Sequence, residues 1–311
     1  LITKYDVDGL HVDYIRYNED GISHFGYSDY SKEAFFNATG LKLDEIRVGS
    51  QEWIRFNTWR ENNVTTFVEQ IRKMLDETNS TLLLSAAVVP DPENSRRDVM
   101  QNWKHWLDNG YLDFVMTMDY RNDTAGFKGN AKKGLALIED KAWVYPGLGL
   151  YVNDRFNNIG QIKSTREVGS TGVALFSNIS FWKEKYDDAV SGLFKNTSVM
   201  PMREPFKAAV ILLDEAADKY HRASLDDLSK ATVSLRDEVA SWDENLENAI
   251  QLREKTITLL AAIEQLKADR VIRSSEVETL SSSLVSVSRI ANIYIFQNSE
   301  KEYVPPTPRT N

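Results

Sequence analysis

Five short apolar segments, separated by stretches with helical periodicity, constrain the fold of the first 180 residues more than any other feature. The segments are Val7–Tyr14, Leu82–Val89, Phe114–Met118, Trp143–Leu150 and Gly172–Ser177. Short apolar runs of this kind are typical of parallel strands that are buried on both faces. Because helical stretches separate them, the pattern predicts an α/β fold with parallel strands.

The stretches between these strands carry the helical signal. Trp53–Glu77 has apolar side chains at helical spacing, and Gln101–Asn109 is followed by Gly110, a residue type that often ends a helix. Ala131–Glu139 and Ile159–Val168 predict two further helices. Five strands do not close a barrel of eight. The pattern alone therefore leaves two folds open, a truncated (β/α)8 TIM-barrel and an open doubly wound sheet.

The pattern changes after about residue 200, where helical periodicity continues almost without strand signal. The predicted helices are Phe206–Arg222, Leu225–Trp242, Glu244–Arg270 and Glu276–Ile295. Ser224 with Asp227, and Ser275 with Glu278, have the spacing of capping boxes. We therefore predict three parts: residues 1–200 as the barrel part, 201–298 as a helical bundle, and 299–311 as a flexible tail rich in Pro and Thr.

Composition and charge exclude several classes of function. The net charge of -9 argues against a nucleic-acid partner, because binding phosphates requires a basic surface. No apolar run is long enough to span a membrane. The chain has no cysteine, which excludes disulfides, thiol catalysis and zinc–thiolate sites. We predict neither a metal nor a cofactor.

Six Asn-x-Ser/Thr sequons favour an exported glycoprotein with an extracellular or cell-surface location. They begin at Asn37, Asn63, Asn79, Asn122, Asn178 and Asn196.

Ionisable residues interrupt the first predicted strand and follow its end. Asp8, His11, Asp13 and Arg16 occur there, with Tyr17 next to Arg16. Charged groups on a buried strand must be paired or must line a pocket, and α/β barrels place their sites at the carboxyl ends of strands. A structural salt-bridge network at the strand end is the alternative interpretation.

A second strand ends in the same way. Phe114–Met118 is followed by Asp119, Tyr120 and Arg121. The alternative for Asp119 is a capping role at the start of the following turn. The end of the Trp143–Leu150 strand offers a further aromatic and a further polar group, Tyr151 and Asn153.

Five separate motifs in the first 180 residues resemble the glycosyl-hydrolase-like family 10 proteins in order and spacing. They read YDVDGLHVDYIRY, TWRENNVTTFVEQI, LLLSAAVVP, WLDNGYLDFVMTMDY and VYPGLGLYVN. In that family the first motif reads roughly DGIHLDYIRYP and lies on the fourth barrel strand. The resemblance therefore implies strands four to eight of a TIM-barrel, with strands one to three upstream of Leu1. It also implies an extracytoplasmic O-glycosyl hydrolase that acts on glycans, with cell-wall polymers such as peptidoglycan as a substrate class.

The first motif is also distantly similar to the DxxDxDxE strand of chitinases. His11 and Ile15 stand where that strand has its second Asp and its catalytic Glu, so a chitinase mechanism is not supported.

Glycoside hydrolysis usually requires two carboxyl groups. We expect Asp13 to act as the general acid/base and Asp119 as its partner or as a substrate ligand, with an upstream strand as the alternative source of the second carboxylate. His11 and Arg16 are expected to tune the pKa of Asp13. The remaining residues expected to bind substrate are Tyr14, Tyr17, Tyr120, Arg121, Tyr151 and Asn153.

The competing hypothesis is a non-catalytic one. In it the chain is a surface, assembly or glycan-binding protein that uses a barrel as a scaffold, because folds are reused without their chemistry. A protein partner or self-association through the helical part would then be expected.

Overall fold

The computed structural model describes residues 2–18, 25–79, 81–194, 198–299 and 303–308. The chain forms two compact units. The first comprises Leu1–Met118 and Glu302–Asn311, and the second comprises Asp119–Lys301.

In its described residues, the first unit contains three strands and the helices between them. In chain order its elements are β1 (Gly9–Val12), α1 (Asp29–Thr39), a 3-10 turn (Leu43–Glu45), α2 (Gln51–Asn79), β2 (Leu83–Val88), α3 (Pro92–Val99), α4 (Trp103–Asp108) and β3 (Phe114–Met118). β1 pairs in parallel with β2, with His11 opposite Ser85, and β2 pairs in parallel with β3. Because the strands are parallel, their carboxyl ends share one edge of this sheet.

Aromatic side chains build part of the core of the first unit. Phe35, Leu43, Trp53 and Phe56 form a buried cluster. The Phe56 ring meets that of Phe35 edge to face at 5.2 Å between centroids. β2 is almost entirely buried, as expected of a strand whose residues are Leu, Ala and Val apart from Ser85.

The described part of the second unit contains two strands and a larger number of helices. In chain order its elements are α5 (Thr124–Leu137), β4 (Trp143–Gly149), α6 (Arg155–Glu167), β5 (Ala174–Phe176), α7 (Asn178–Lys183), α8 (Tyr186–Ser191), α9 (Pro205–Arg222), α10 (Asp226–Val239), α11 (Leu246–Ala268) and α12 (Ser274–Asn298). β4 pairs in parallel with β5, with Gly149 opposite Phe176. Phe127, Leu148 and Ile162 belong to its buried core.

Within each unit, each strand pairs with the next strand along the chain. A (β/α)8 barrel has this sequential order, whereas a doubly wound sheet reverses its strand order at a switch point. The predicted α/β class with parallel strands is therefore confirmed, and the arrangement is that of part of a TIM-like barrel.

The helices α9 to α12 follow one another closely along the chain and pack on one another. α9 contacts α10 and α12, and α11 contacts α12. Within the second unit this layer is also joined to the strand-bearing part. Arg289 of α12 donates to the carboxylate of Asp140 at 2.7 Å and to the carbonyl of Gly169, and Lys128 of α5 binds Glu278 of α12 at 2.6 Å.

The predicted capping boxes are wrong in detail. α12 begins at Ser274, and its box is formed by Glu276, whose carboxylate accepts from the Arg273 amide at 2.7 Å. Glu278, predicted to cap, instead binds Lys128. At the start of α10 the N-cap residue is Leu225, with no side-chain cap. α10 begins one residue after its predicted start at Leu225, and α12 begins two residues before its predicted start at Glu276. Ser224 has a left-handed backbone with φ 58, whereas an N-cap residue usually has extended backbone.

The predicted glycosylation sequons and the predicted tail lie partly outside the described residues. Of the six sequons, the one at Asn196 lies outside the described residues, and the other five asparagines are exposed. In the predicted tail, residues 300–302 and 309–311 lie outside them, and residues 303–308 form neither helix nor strand. Across the described ranges, every helix is too short or too polar to cross a bilayer.

Candidate functional site

In the first unit, His11 projects from β1 beside the neighbouring strand. Its Nδ1 lies 2.8 Å from the hydroxyl of Ser85, its partner across the β1–β2 pair. Desolvation lowers the pKa of His11 below its usual value, and the nearby Asp13 raises it. His11 is therefore held in place by Ser85 and is inclined towards its neutral form.

Asp13 and Tyr14 form a tight turn directly after β1. The Asp13 Oδ1 accepts from the Tyr14 amide at 2.7 Å, and Tyr14 adopts a left-handed backbone with φ 53. Both side chains are exposed. The guanidinium of Arg16 lies over the Tyr14 ring, 4.9 Å from its centroid. A non-glycine residue in this region costs free energy, and such residues cluster at functional sites.

Tyr17 faces the interior of the first unit. Its amide donates to the carbonyl of Val99 at 2.9 Å, and its ring lies 5.4 Å from the buried guanidinium of Arg60. Burial raises the pKa of Tyr17, while Arg60 and a hydrogen bond to Asn63 lower it. Tyr17 therefore packs against α2. Its role in substrate binding stays a prediction.

In the second unit, Asp119 is 4% exposed although it carries a carboxylate. Its Oδ1 accepts from Arg121 Nε and from Asn130 Nδ2, each at 3.0 Å, and its amide donates to the carbonyl of Gly147 at 3.0 Å. Its Oδ2 is buried and has no hydrogen-bond partner among the described residues. Burial raises the pKa of Asp119, against the lowering effects of Asn130 and Arg121.

The hydrogen bonds of Asp119 do not support the capping interpretation. A cap would bind the first amides of a helix, and in α5 Asp123 does so, accepting from the Gly126 amide. Among the described residues, the Oδ2 of Asp119 is buried and meets no donor, and this burial raises the pKa of the carboxyl group.

Three aromatic side chains gather at the ends of the strands next to Asp119. The Tyr120 and Phe176 rings are stacked, with centroids 5.4 Å apart and planes at 12°. Tyr151 meets both rings edge to face, at 6.0 Å from Tyr120 and 6.2 Å from Phe176. Phe176 is 50% exposed and Tyr151 59% exposed. We call Tyr120, Tyr151 and Phe176 the aromatic cluster.

Gly149 permits this close approach. A Cβ at this position would lie 3.2 Å from the Tyr120 ring, 3.2 Å from the Tyr151 ring and 2.9 Å from Val152. Such distances are shorter than an ordinary carbon–carbon contact. A side chain at position 149 would therefore push the two tyrosines apart.

Asn153 and Arg121 join the loops that follow β3 and β4. The Asn153 amide donates to the Arg121 carbonyl at 2.7 Å, and Gln161 of α6 donates to the same oxygen at 3.0 Å. The Asn153 side chain therefore positions the Arg121 backbone, and the Arg121 guanidinium positions Asp119.

Sequence reasoning missed two residues of this site. Asn130 lies within α5, and its position in the sequence gives no sign that its amide reaches Asp119. Phe176 could have been found, because it ends β5 just as Tyr120 and Tyr151 follow β3 and β4. Its apolar character had assigned it to the strand core.

The structure thus gathers Asp119, Tyr120, Arg121, Tyr151 and Asn153 in the second unit. It places His11, Asp13, Tyr14, Arg16 and Tyr17 around the end of β1 in the first. Among the described residues, no group of three or more His, Asp or Glu side chains is arranged to hold a metal ion.

Comparison with known protein families gives a match. The family described as glycosyl hydrolase-like 10 matches residues 1–166. This range includes every residue predicted to form the site and ends before Phe176. No curated protein matches the chain.

Proposed function

Because the chain belongs to the glycosyl hydrolase-like 10 family, we propose that it hydrolyses glycosidic bonds in a polysaccharide. The substrate we propose is an extracellular or cell-wall polymer, with peptidoglycan as the first to test. The protein would then act outside the cell or at its surface. Hydrolysis of this kind requires one protonated carboxyl group, and a second carboxylate that acts as nucleophile or activates water.

Asp119 is the proposed proton donor. Its buried Oδ2, which has no hydrogen-bond partner among the described residues, is the observation that carries the proposal. A general acid must hold its proton near the working pH, and burial raises the pKa of Asp119 in that direction. Asn130 and Arg121 fix the other oxygen, so that the free oxygen keeps a defined direction. This role differs from the sequence expectation, in which Asp13 was the acid.

Asp13 stays the proposed second carboxylate. It is exposed and its Oδ1 is held by the Tyr14 amide. A carboxylate that is solvated and hydrogen-bonded suits a nucleophile or a base, just as a buried one suits an acid.

The aromatic cluster is the proposed sugar-binding surface. Aromatic faces bind the apolar faces of sugar rings, and Tyr hydroxyls bind sugar hydroxyls. The half-exposed Phe176 and Tyr151 offer both features beside the proposed acid.

The test is hydrolysis of cell-wall polysaccharides by the full chain and by Asp119→Asn. Asn keeps the size of Asp but cannot deliver a proton, so we expect product release to fall by about 10²–10⁴-fold. Product release by Asp13→Asn is expected to fall by a similar factor. Asp187 is exposed, and Asp187→Asn is the control that should retain full activity. Full turnover by Asp119→Asn would exclude it as the acid.

The aromatic cluster favours a second function, glycan binding without hydrolysis. In that case the wild-type chain would retain polysaccharide in a pull-down and release no product. Asp119→Asn would leave this binding unchanged. Product release by the wild type that is lost in Asp119→Asn excludes this alternative.

A further inference from the structure

Residues 303–308, Tyr-Val-Pro-Pro-Thr-Pro, lie on the surface of the first unit at α3 and α4. The contact is made mainly through the backbone of this segment, which we call the proline segment. The Asn109 side chain binds both backbone groups of Val304: its Oδ1 accepts from the Val304 amide at 2.9 Å, and its Nδ2 donates to the Val304 carbonyl at 3.0 Å. Arg96 Nη2 donates to the Thr307 carbonyl at 2.6 Å.

Buried neighbours hold both side chains in place. His105 is buried, and its Nδ1 lies 3.1 Å from Asn109 Nδ2, which fixes the direction of the Asn109 amide. Glu61 is 2% exposed, and both of its oxygens accept from Arg96 Nε, at 3.1 and 3.0 Å. The groups that bind the proline segment are therefore oriented by the core of the first unit.

The spacing of the two bound carbonyls fits one backbone conformation. Polyproline II has three residues per turn, so the carbonyls of residues i and i+3 point to the same side. Val304 and Thr307 have this spacing, and each precedes a proline, which restricts both to extended backbone. Three of the six residues are proline, whose φ is already set for this conformation.

The side chains of the segment contribute less than its backbone. Val304 and Tyr303 are exposed, and the Tyr303 ring meets that of His105 edge to face at 6.0 Å. An open cavity of about 490 Å³ borders Asn109 and Tyr111 on the same surface. The site therefore recognises mainly the backbone conformation of the segment. The aromatic side chain of Tyr303 adds a smaller contribution.

We propose that Arg96, His105 and Asn109 form a binding site for extended, proline-containing peptides, separate from the proposed glycosidic site. Residues 303–308 of the same chain are its occupant. The ligand class is a peptide with two residues that each precede a proline, three positions apart, and with an aromatic residue before the first of them. Proline-rich ligands suit such a site because little conformational entropy is lost on binding.

The test uses the full chain and a fluorescein-labelled peptide of sequence EYVPPTPR. In the wild type the attached proline segment competes at an effective concentration on the order of millimolar. The triple variant Pro305→Gly, Pro306→Gly, Pro308→Gly keeps every backbone donor and acceptor but loses the restricted backbone. We expect this variant to bind the labelled peptide about tenfold or more tightly than the wild type does, as measured by fluorescence anisotropy.

Two further changes in the triple-glycine chain locate the site. Asn109→Ala should abolish peptide binding, and Asn298→Ala, on α12, should leave it intact. Asn109→Asp keeps the shape and the acceptor for the Val304 amide but opposes a carboxylate to the Val304 carbonyl, so it should also lose binding. It serves as the second variant if Asn109→Ala does not fold.

Absence of peptide binding by the triple-glycine chain, or undiminished binding by folded Asn109→Asp, would overturn the proposal. A wild-type dimer that depends on concentration and is lost in the triple-glycine chain would assign the occupant to a second copy. That result would overturn the assignment to the same chain.

Discussion

The two carboxylates proposed for catalysis differ in what surrounds them. Asp13 is exposed and accepts a hydrogen bond from a backbone amide. Asp119 is buried, with one oxygen bound and the other without a donor among the residues that the structure describes. Their positions after strands were predictable from the sequence, because a carboxylate at the end of an apolar run stands out. Their environments were not predictable, since burial of Asp119 depends on Asn130 and Arg121.

The raised pKa of Asp119 predicts a pH-dependent stability. The folded chain keeps this proton at pH values where the unfolded chain, with an ordinary pKa of 3.8, has already released it. The free energy of unfolding therefore falls as the pH rises from 3.8 through the folded pKa. The asparagine in the Asp119→Asn variant does not titrate, so the variant is spared this loss. The Tm of the variant minus the Tm of the wild type should therefore increase as the pH rises through this window.

Thermal melts of both proteins from about pH 3 to pH 8 measure this difference. The exposed Asp187→Asn is the control, and its difference from wild type should stay flat. If the Tm of Asp119→Asn minus that of the wild type decreased with rising pH, burial would not raise the pKa of Asp119.

Phe176 provides a second prediction for a single residue. Phe176→Ala removes the ring that stacks on Tyr120. Half of the surface of Phe176 is exposed and is therefore open to a ligand. Aromatic contacts contribute about 0.5–1.5 kcal/mol, so affinity for a soluble oligosaccharide of the substrate should fall about 2- to 10-fold in calorimetry. Phe156→Ala, a more exposed ring on α6, is the matched control and should leave affinity unchanged. Equal losses in both variants would count against the aromatic cluster.

Among the elements, those with strong apolar periodicity were predicted and the short polar ones were not. The strand predicted at Phe114–Met118 has those bounds in the structure, and the bounds of the other four differ by two residues or fewer at each end. α3 was missed because Pro92–Val99 has no apolar face. Its beginning is set by Asp91, whose side chain accepts from the Glu93 and Asn94 amides.

The start of α5 shows a different difficulty. The helix begins at Thr124, seven residues before the predicted Ala131, and its first half contains Gly126 and Gly129. Glycine weakens the helical signal because it favours no single backbone conformation. The cap at Asp123 fixes the beginning in the structure. α1, α7 and α8 were also not predicted.

The contact of α12 with the strand-bearing part of the second unit predicts a stability loss. Arg289 is 10% exposed and binds Asp140 and Gly169. Arg289→Ala leaves Asp140 without this partner, and since Asp140 is partly exposed we expect a cost below the ~3–5 kcal/mol of a fully buried pair, about 2 kcal/mol. Urea unfolding measures it. Arg222→Ala, which removes a surface pair with Asp218, should cost about 0.5 kcal/mol or less.

For the molecule as a whole, the compact units divide after Met118 and after Lys301. The sequence suggests a boundary near residue 200, because the strand signal stops there. That boundary stays a prediction. Periodicity reports which elements form, while compactness depends on contacts such as those of Arg289 and Lys128, which join residues far apart in the sequence.

Residues 205–298 expressed alone test how far the helical part is independent. We expect a helical circular-dichroism spectrum and a cooperative melt, because α9 contacts α10 and α12, and α11 contacts α12. Its Tm should be lower than in the full chain, since Arg289 has lost Asp140. Arg289→Ala should therefore lower the Tm of the full chain but not that of the isolated segment. A disordered spectrum would show that the helices depend on the rest of the second unit.

Gly149 limits which substitutions the chain can accept while it keeps the aromatic cluster. Any β-carbon there meets Tyr120, Tyr151 and Val152, so even the smallest substitution requires compensating changes in two rings. Gly129, where an added β-carbon meets nothing within 4 Å, has no such restriction, and alanine there would favour the helix. Among descendants of this chain, position 129 is free to vary. Position 149 can change only together with the residues that surround it.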